Sequence, residues 1–203
     1  MQTRPLQLRR GLRLEWFAIS WNVVETGVGL WAGLAAGSVA LVGFALDSVV
    51  EASCAAVLIW RLSTEASGRR THEEAERGAI GAVAVAFFLL AGYIGVRSVS
   101  DLLSGARPEE SLPGMALAGV SLVVMPVLAH LKRKSAAELG SRSMHADSRQ
   151  TTLCTYLSAV LLAGLAANAL FGWWWADPAA GLVVAALAAR EGQELWSTRN
   201  VCC

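Results

Sequence analysis

The sequence lacks a glycine-rich phosphate loop and a Ser/His/Asp set, so nucleotide hydrolysis and nucleophilic catalysis have no footing in it and no enzyme class is indicated. A formal net charge of +1, without a basic patch interleaved with aromatics, argues against a nucleic-acid surface. No polar stretch is long enough for a soluble domain: the longest, Arg61 to Arg77 and Lys132 to Arg142, are loop-sized.

What is there instead is hydrocarbon. Hydrophobic residues make up 55% of the chain and the mean hydropathy is +0.48, well outside the range of a soluble domain of this length. Helical spans long enough to cross about 30 Å of bilayer fall at about 16–35, 39–60, 78–98, 112–131, 143–165 and 173–190. The expected fold class is therefore an all-α membrane protein of six transmembrane helices. Residues 1–15 form an N-terminal segment, 16–190 the six-helix transport domain and 191–203 a short tail.

Lys and Arg in short loops stay on the cytoplasmic side. Arg4, Arg9, Arg10 and Arg13 precede span one, Arg61, Arg69, Arg70 and Arg77 follow span two, and Lys132, Arg133, Lys134 and Arg142 lie between spans four and five. Arg190 closes span six and Arg199 follows it, while only Arg97 and Arg107 fall near the opposite face. Both termini are expected in the cytoplasm and the protein in the plasma (inner) membrane. Seven of the tryptophans, all but Trp21, fall at or near span ends, where their amphipathic rings prefer to sit. The basic start is not a signal peptide, because the apolar run after it is too long and carries Asn22 and Glu25.

An acid inside a transmembrane helix is expensive and usually faces a cavity or a partner. Asp47 and Glu51, spaced i, i+4, share one face of span two, and Cys54 continues the stripe. In span five Gln150 and Cys154 are again i, i+4, with Asp147 one turn before Gln150 and His145 at the entrance. The spans are antiparallel, and counting about 1.5 Å per residue sets Cys154 level with Asp47 and Gln150 level with Glu51. Two carboxylates, an amide oxygen and a thiolate suit a four-coordinate divalent ion, zinc above all. The alternative is a helix contact in which Cys154 packs as a small apolar residue and Gln150 bonds across helices.

The segments S-V-A-L-V-G-F-A-L-D-S-V-V-E (38–51), A-D-S-R-Q-T-T-L-C (146–154) and W-W-W-A-D-P-A-A-G-L-V-V-A (173–185), in this order and spacing, resemble the cation diffusion facilitators. The resemblance covers most of the chain. It implies a six-helix exporter of divalent metal, working as a homodimer by proton antiport. The family's four-residue transport site, typically D-x-x-x-D in helix two and H-x-x-x-D in helix five, falls here on Asp47, Glu51, Gln150 and Cys154. Three of the four depart from the commonest pattern, and a thiolate shifts preference toward zinc, cadmium, copper or mercury. Only about a dozen residues follow span six, so the resemblance is to a short form without the cytoplasmic domain, whose dimer rests on the membrane helices. Gly29-x-x-x-Gly33 and the small residues of span three offer such packing.

Gln150 cannot titrate near neutral pH, so proton exchange falls to Asp47, Glu51 and Cys154. Accessory metal or proton positions are Glu25 with Asn22 one turn before it, Cys54, Asp147, the His72 and Glu76 pair after span two, and the terminal Cys202 and Cys203. Glu25 is otherwise paired with Arg97 or a serine; His72 and Glu76 otherwise belong to a solvated loop, and the terminal cysteines to an incidental tail. Asp177-Pro178 reads as the cap and first residue of a helix, a structural role. The expected partners are the metal ion, protons, the lipid bilayer and a second copy of the chain. Two rival readings stand beside zinc efflux: a mercury, cadmium or copper transporter built on the cysteines, and a non-transporting scaffold or sensor whose acids pair with Arg97, Arg149 or His145.

Overall fold

The computed structural model describes residues 3–66 and 73–198. Six helices follow in order: α1 Thr3–Ala36, α2 Val39–Ala66, α3 Glu73–Ser104, α4 Leu112–Leu139, α5 Arg142–Phe171 and α6 Ala176–Thr198. Among the described residues there is no strand. His72, Cys202 and Cys203 lie outside the described residues, as does the side chain of Glu76.

Each helix contains or closely matches one expected span and most extend beyond it. The sixth begins at Ala176 rather than residue 173, because Trp173 to Trp175 form a turn whose rings stack at 5.4 Å. At about 1.5 Å per residue the 34-residue α1 is about 50 Å long, more than the hydrocarbon needs. Among the described residues, windows long and apolar enough to cross a membrane fall in α2 to α5, at Val39–Thr64, Phe87–Ser104, Leu112–Leu139 and Ser143–Phe171. Polar residues dilute the other two: Glu15, Asn22 and Glu25 in α1, and Asp177, Arg190, Glu191 and Glu194 in α6.

The distribution of side chains is that of a protein in lipid. Trp31, Leu34, Leu89, Val96, Val123, Leu170 and Phe171 point outward, whereas Glu15, Asn22, Glu25, Glu51, Lys132 and Thr151 are fully buried. Helix α1 packs on α2, α2 on α5, α5 on α4 and α4 back on α1, closing a ring of four. The α3–α6 pair lies alongside, touching α2 and, through α6, α5. Helix α2 is thus the one element in contact with α1, α3, α5 and α6.

Two features fix α2. The first is close approach: a Cβ on Gly29 would stand 2.8 Å from the Ala45 methyl, and one on Gly33 would stand 2.9 Å from Val42 Cγ2. The Gly29-x-x-x-Gly33 pair, expected from the sequence to serve a dimer, is spent within the chain on seating α1 against α2. The second is a cap from a distant part of the chain. The Asp177 carboxylate accepts from Ser38 Oγ at 2.5 Å and from Val39 N–H at 3.1 Å. It therefore satisfies the N-terminus of α2 rather than its own helix, where the sequence placed it as a cap.

Gly33→Val is expected to force α1 off α2, costing about 1–3 kcal/mol and lowering the thermal midpoint in detergent by several degrees. Gly27→Ala, whose Cβ meets nothing within 4 Å, leaves that midpoint essentially unchanged. Asp177→Ala strands two buried donors and is expected to destabilise the protein by about 1–3 kcal/mol, measured by the same melting curves.

Candidate metal centre

The interface of α2 with α5 carries the carboxylates picked out by spacing. Asp47 and Glu51, one turn apart on α2, are 7% and 0% exposed. Thr151 of α5 donates its hydroxyl to Glu51 Oε1 at 2.8 Å, and the Cys154 thiol lies beside the same carboxylate. The second oxygen, Oε2, is buried with no hydrogen bond. The charges acting most on Asp47 are all carboxylates, those of Glu51, Glu191 and Glu25, so like charge accumulates around it.

The register differs from that counted from the helix ends. Cys154 lies closer to Glu51 than to Asp47, and Gln150 sits beside Cys54, its Nε2 buried and unpaired. The offset arises because α2 continues to Ala66, six residues past the end inferred from hydropathy, so the cytoplasmic ends of the two helices do not coincide. Of the four expected ligands, Glu51 and Cys154 are in contact, Asp47 is one turn further along α2, and Gln150 is one turn nearer the other end of the bundle. Among the described residues no three of His, Cys, Asp and Glu converge closely enough to hold an ion.

Glu25 and Asn22 join this centre from α1. Hydroxyls of Ser121 (α4) and Ser48 (α2), the latter at 3.0 Å, donate to the Glu25 carboxylate. Serines are its partners, while Arg97 pairs with Asp101 at 3.4 Å. Asn22 is fully buried with both its amide oxygen and nitrogen unpaired. Such an orphaned amide, one turn before Glu25 on the same helix, is a polar position that water or an ion can occupy.

Asp147 is placed differently. Lys132, which the sequence put in the loop after span four, is fully buried in α4; its ammonium hydrogen-bonds Asp147 Oδ2 at 2.5 Å and forms an ion pair with Glu15 Oε2 at 3.0 Å. Sequence reasoning missed Lys132, Glu15 and Thr151. The available signal for Lys132 was the stripe Leu128, Lys132, Ser135, Leu139, which follows the buried face of α4 through a block of basic residues. His145 and Arg149 are exposed.

The chain is 29% identical over 172 residues to the uncharacterized transporter sll1263 of Synechocystis sp., an overlap of 82% of this chain and 56% of the relative. It thus spans a little over half of that relative's length. Residues 16–198 match the cation efflux transmembrane domain, and the chain belongs to the cation efflux family.

Proposed function

We propose that this chain exports a divalent metal cation, zinc by preference, through the centre between α2 and α5, in exchange for protons and as a homodimer in the plasma membrane. The observation that carries the reading is the buried cluster of Glu25, Asp47 and Glu51, with a free Glu51 oxygen beside the Cys154 thiol. Membership in a family of divalent-metal transporters supports the same reading. Three carboxylates gathered in a low-dielectric interior repel one another, and a divalent cation or bound protons relieve that repulsion. Metal and protons then compete for the same oxygens, and this competition is the physical basis of exchange.

The residues divide the task. Asp47 and Glu51 supply anionic oxygens, Cys154 a soft donor that favours zinc and cadmium over manganese, and Gln150 a neutral oxygen after a small movement toward Glu51. Thr151 orients Glu51 through its hydroxyl, leaving Oε2 for the ion. Glu25, held by Ser48 and Ser121, is placed to take up protons as the ion leaves. The cations that the buried-scaffold alternative names are not at these acids: Arg97 pairs with Asp101, Arg149 and His145 are exposed, and the buried Lys132 pairs with Glu15 and Asp147 instead.

Proteoliposomes under an imposed pH gradient, offered zinc, cadmium, mercury and manganese in turn, test the reading. Wild-type protein is expected to accumulate zinc, and Asp47→Ala and Glu51→Ala each to reduce uptake at least about tenfold, the loss of one charged ligand. Gradient-independent or unaltered zinc uptake in both variants sinks the proposal. Cys154→Asp replaces the soft donor by a hard one and is expected to raise manganese uptake relative to cadmium; an unchanged ratio of the two ions removes Cys154 from the site.

A further inference from the structure

Lysine is among the residues least often fully buried, and an ammonium in hydrocarbon is costly unless it is paired. Lys132 is nonetheless 0% exposed, while its neighbours Arg133 and Lys134 are exposed. Its inward placement is therefore particular to this residue and not to the basic block. The ammonium joins three helices: from its own position on α4 it hydrogen-bonds Asp147 of α5 and ion-pairs with Glu15 of α1.

Two observations indicate more than a staple. One carboxylate would neutralise Lys132, yet two converge on it, and both Glu15 oxygens and Asp147 Oδ1 remain buried without a hydrogen bond. The cluster thus keeps an unmet demand for positive charge. It is also linked to the metal centre: Thr151 bonds both Glu51 Oε1 at 2.8 Å and the Asp147 carbonyl at 3.3 Å. Lys132 and Asp147 are the two charges that act most strongly on Glu51. Asp147 lies near the start of α5 and Lys132 near the end of α4, so the ammonium stands between the basic end of the bundle and the acids deeper within it.

We propose that Lys132 is a tethered counter-cation that occupies the Glu15–Asp147 pair and, by its positive charge, limits how tightly a divalent ion is held at Glu51. The inference rests on the metal-transport reading above and adds a residue that sets affinity without touching the ion. An empty centre keeps its carboxylates partly neutralised by this internal charge; an arriving ion is held against that same charge, so it is bound loosely enough to leave.

The test uses the full-length chain in detergent, titrated with zinc in competition with a chromophoric chelator, with melting curves in parallel. Lys132→Met, which keeps the length of the side chain and loses the charge, is expected to bind zinc at least about tenfold more tightly, through loss of a unit charge that acts on Glu51 across the low-dielectric interior. Lys132→Arg is expected to restore wild-type affinity. Because Lys132→Met leaves two uncompensated acids and its fold is at risk, Asp147→Asn and Lys132→Met/Asp147→Asn form a second comparison. The double variant is expected to bind zinc more tightly than Asp147→Asn, again through loss of the ammonium. Equal zinc affinity within both comparisons, with only melting temperatures changed, reduces Lys132 to a structural staple and overturns the inference while leaving the transport reading intact. Absence of zinc binding in the folded wild type overturns both.

Discussion

A carboxylate in the interior of a bilayer must be answered from within the protein, and the arrangement of all six helices follows from that constraint. Glu15, Glu25, Asp47, Glu51 and Asp147 come from three helices, α1, α2 and α5, and all are buried. The large apolar side chains face the other way, toward lipid. A soluble bundle inverts this pattern, so the interior here is best described as a polar file enclosed by helices whose outer surfaces are hydrocarbon.

Along that file the acids are satisfied to decreasing degrees. Glu15 and Asp147 share a lysine, and Glu25 has two hydroxyls. Glu51 has a threonine and a thiol on one side and an unpaired oxygen on the other. Asp47 stands mainly among other carboxylates. Demand for a cation therefore rises from the Lys132 cluster toward Asp47, the gradient expected if an ion is to be drawn inward past a first, internally neutralised position.

The precision of this arrangement depends on how α2 is held. Gly29 and Gly33 let its backbone approach α1, and Asp177 fixes its first turn about two turns before Asp47. A glycine pair of the kind that joins separate membrane helices is used here inside one chain, and an acid that reads as a local cap ties together residues 138 apart. In both cases the short-range pattern was correct about the chemistry, close packing or capping, and uninformative about the partner.

That division applies to the protein as a whole. The helical class, the approximate spans and the acids at Asp47 and Glu51 were legible in the sequence, because hydropathy and the 3.6-residue period are local properties that any helix in lipid must obey. The cation efflux resemblance was legible because its three motifs are contiguous. Pairing across helices was not: the contact of Cys154 with Glu51, the displacement of Gln150 toward Cys54, and the burial of Lys132 between Glu15 and Asp147 depend on the rotation and axial register of packed helices. A rotation of one residue, about 100°, turns a side chain from lipid to core, and no local pattern fixes it within a block such as Lys132 to Lys134. The sequence by itself determined which residues had to be hidden from lipid, and the tertiary structure decided which of them meet, since only the packed ring brings charges from separate helices within reach of one another.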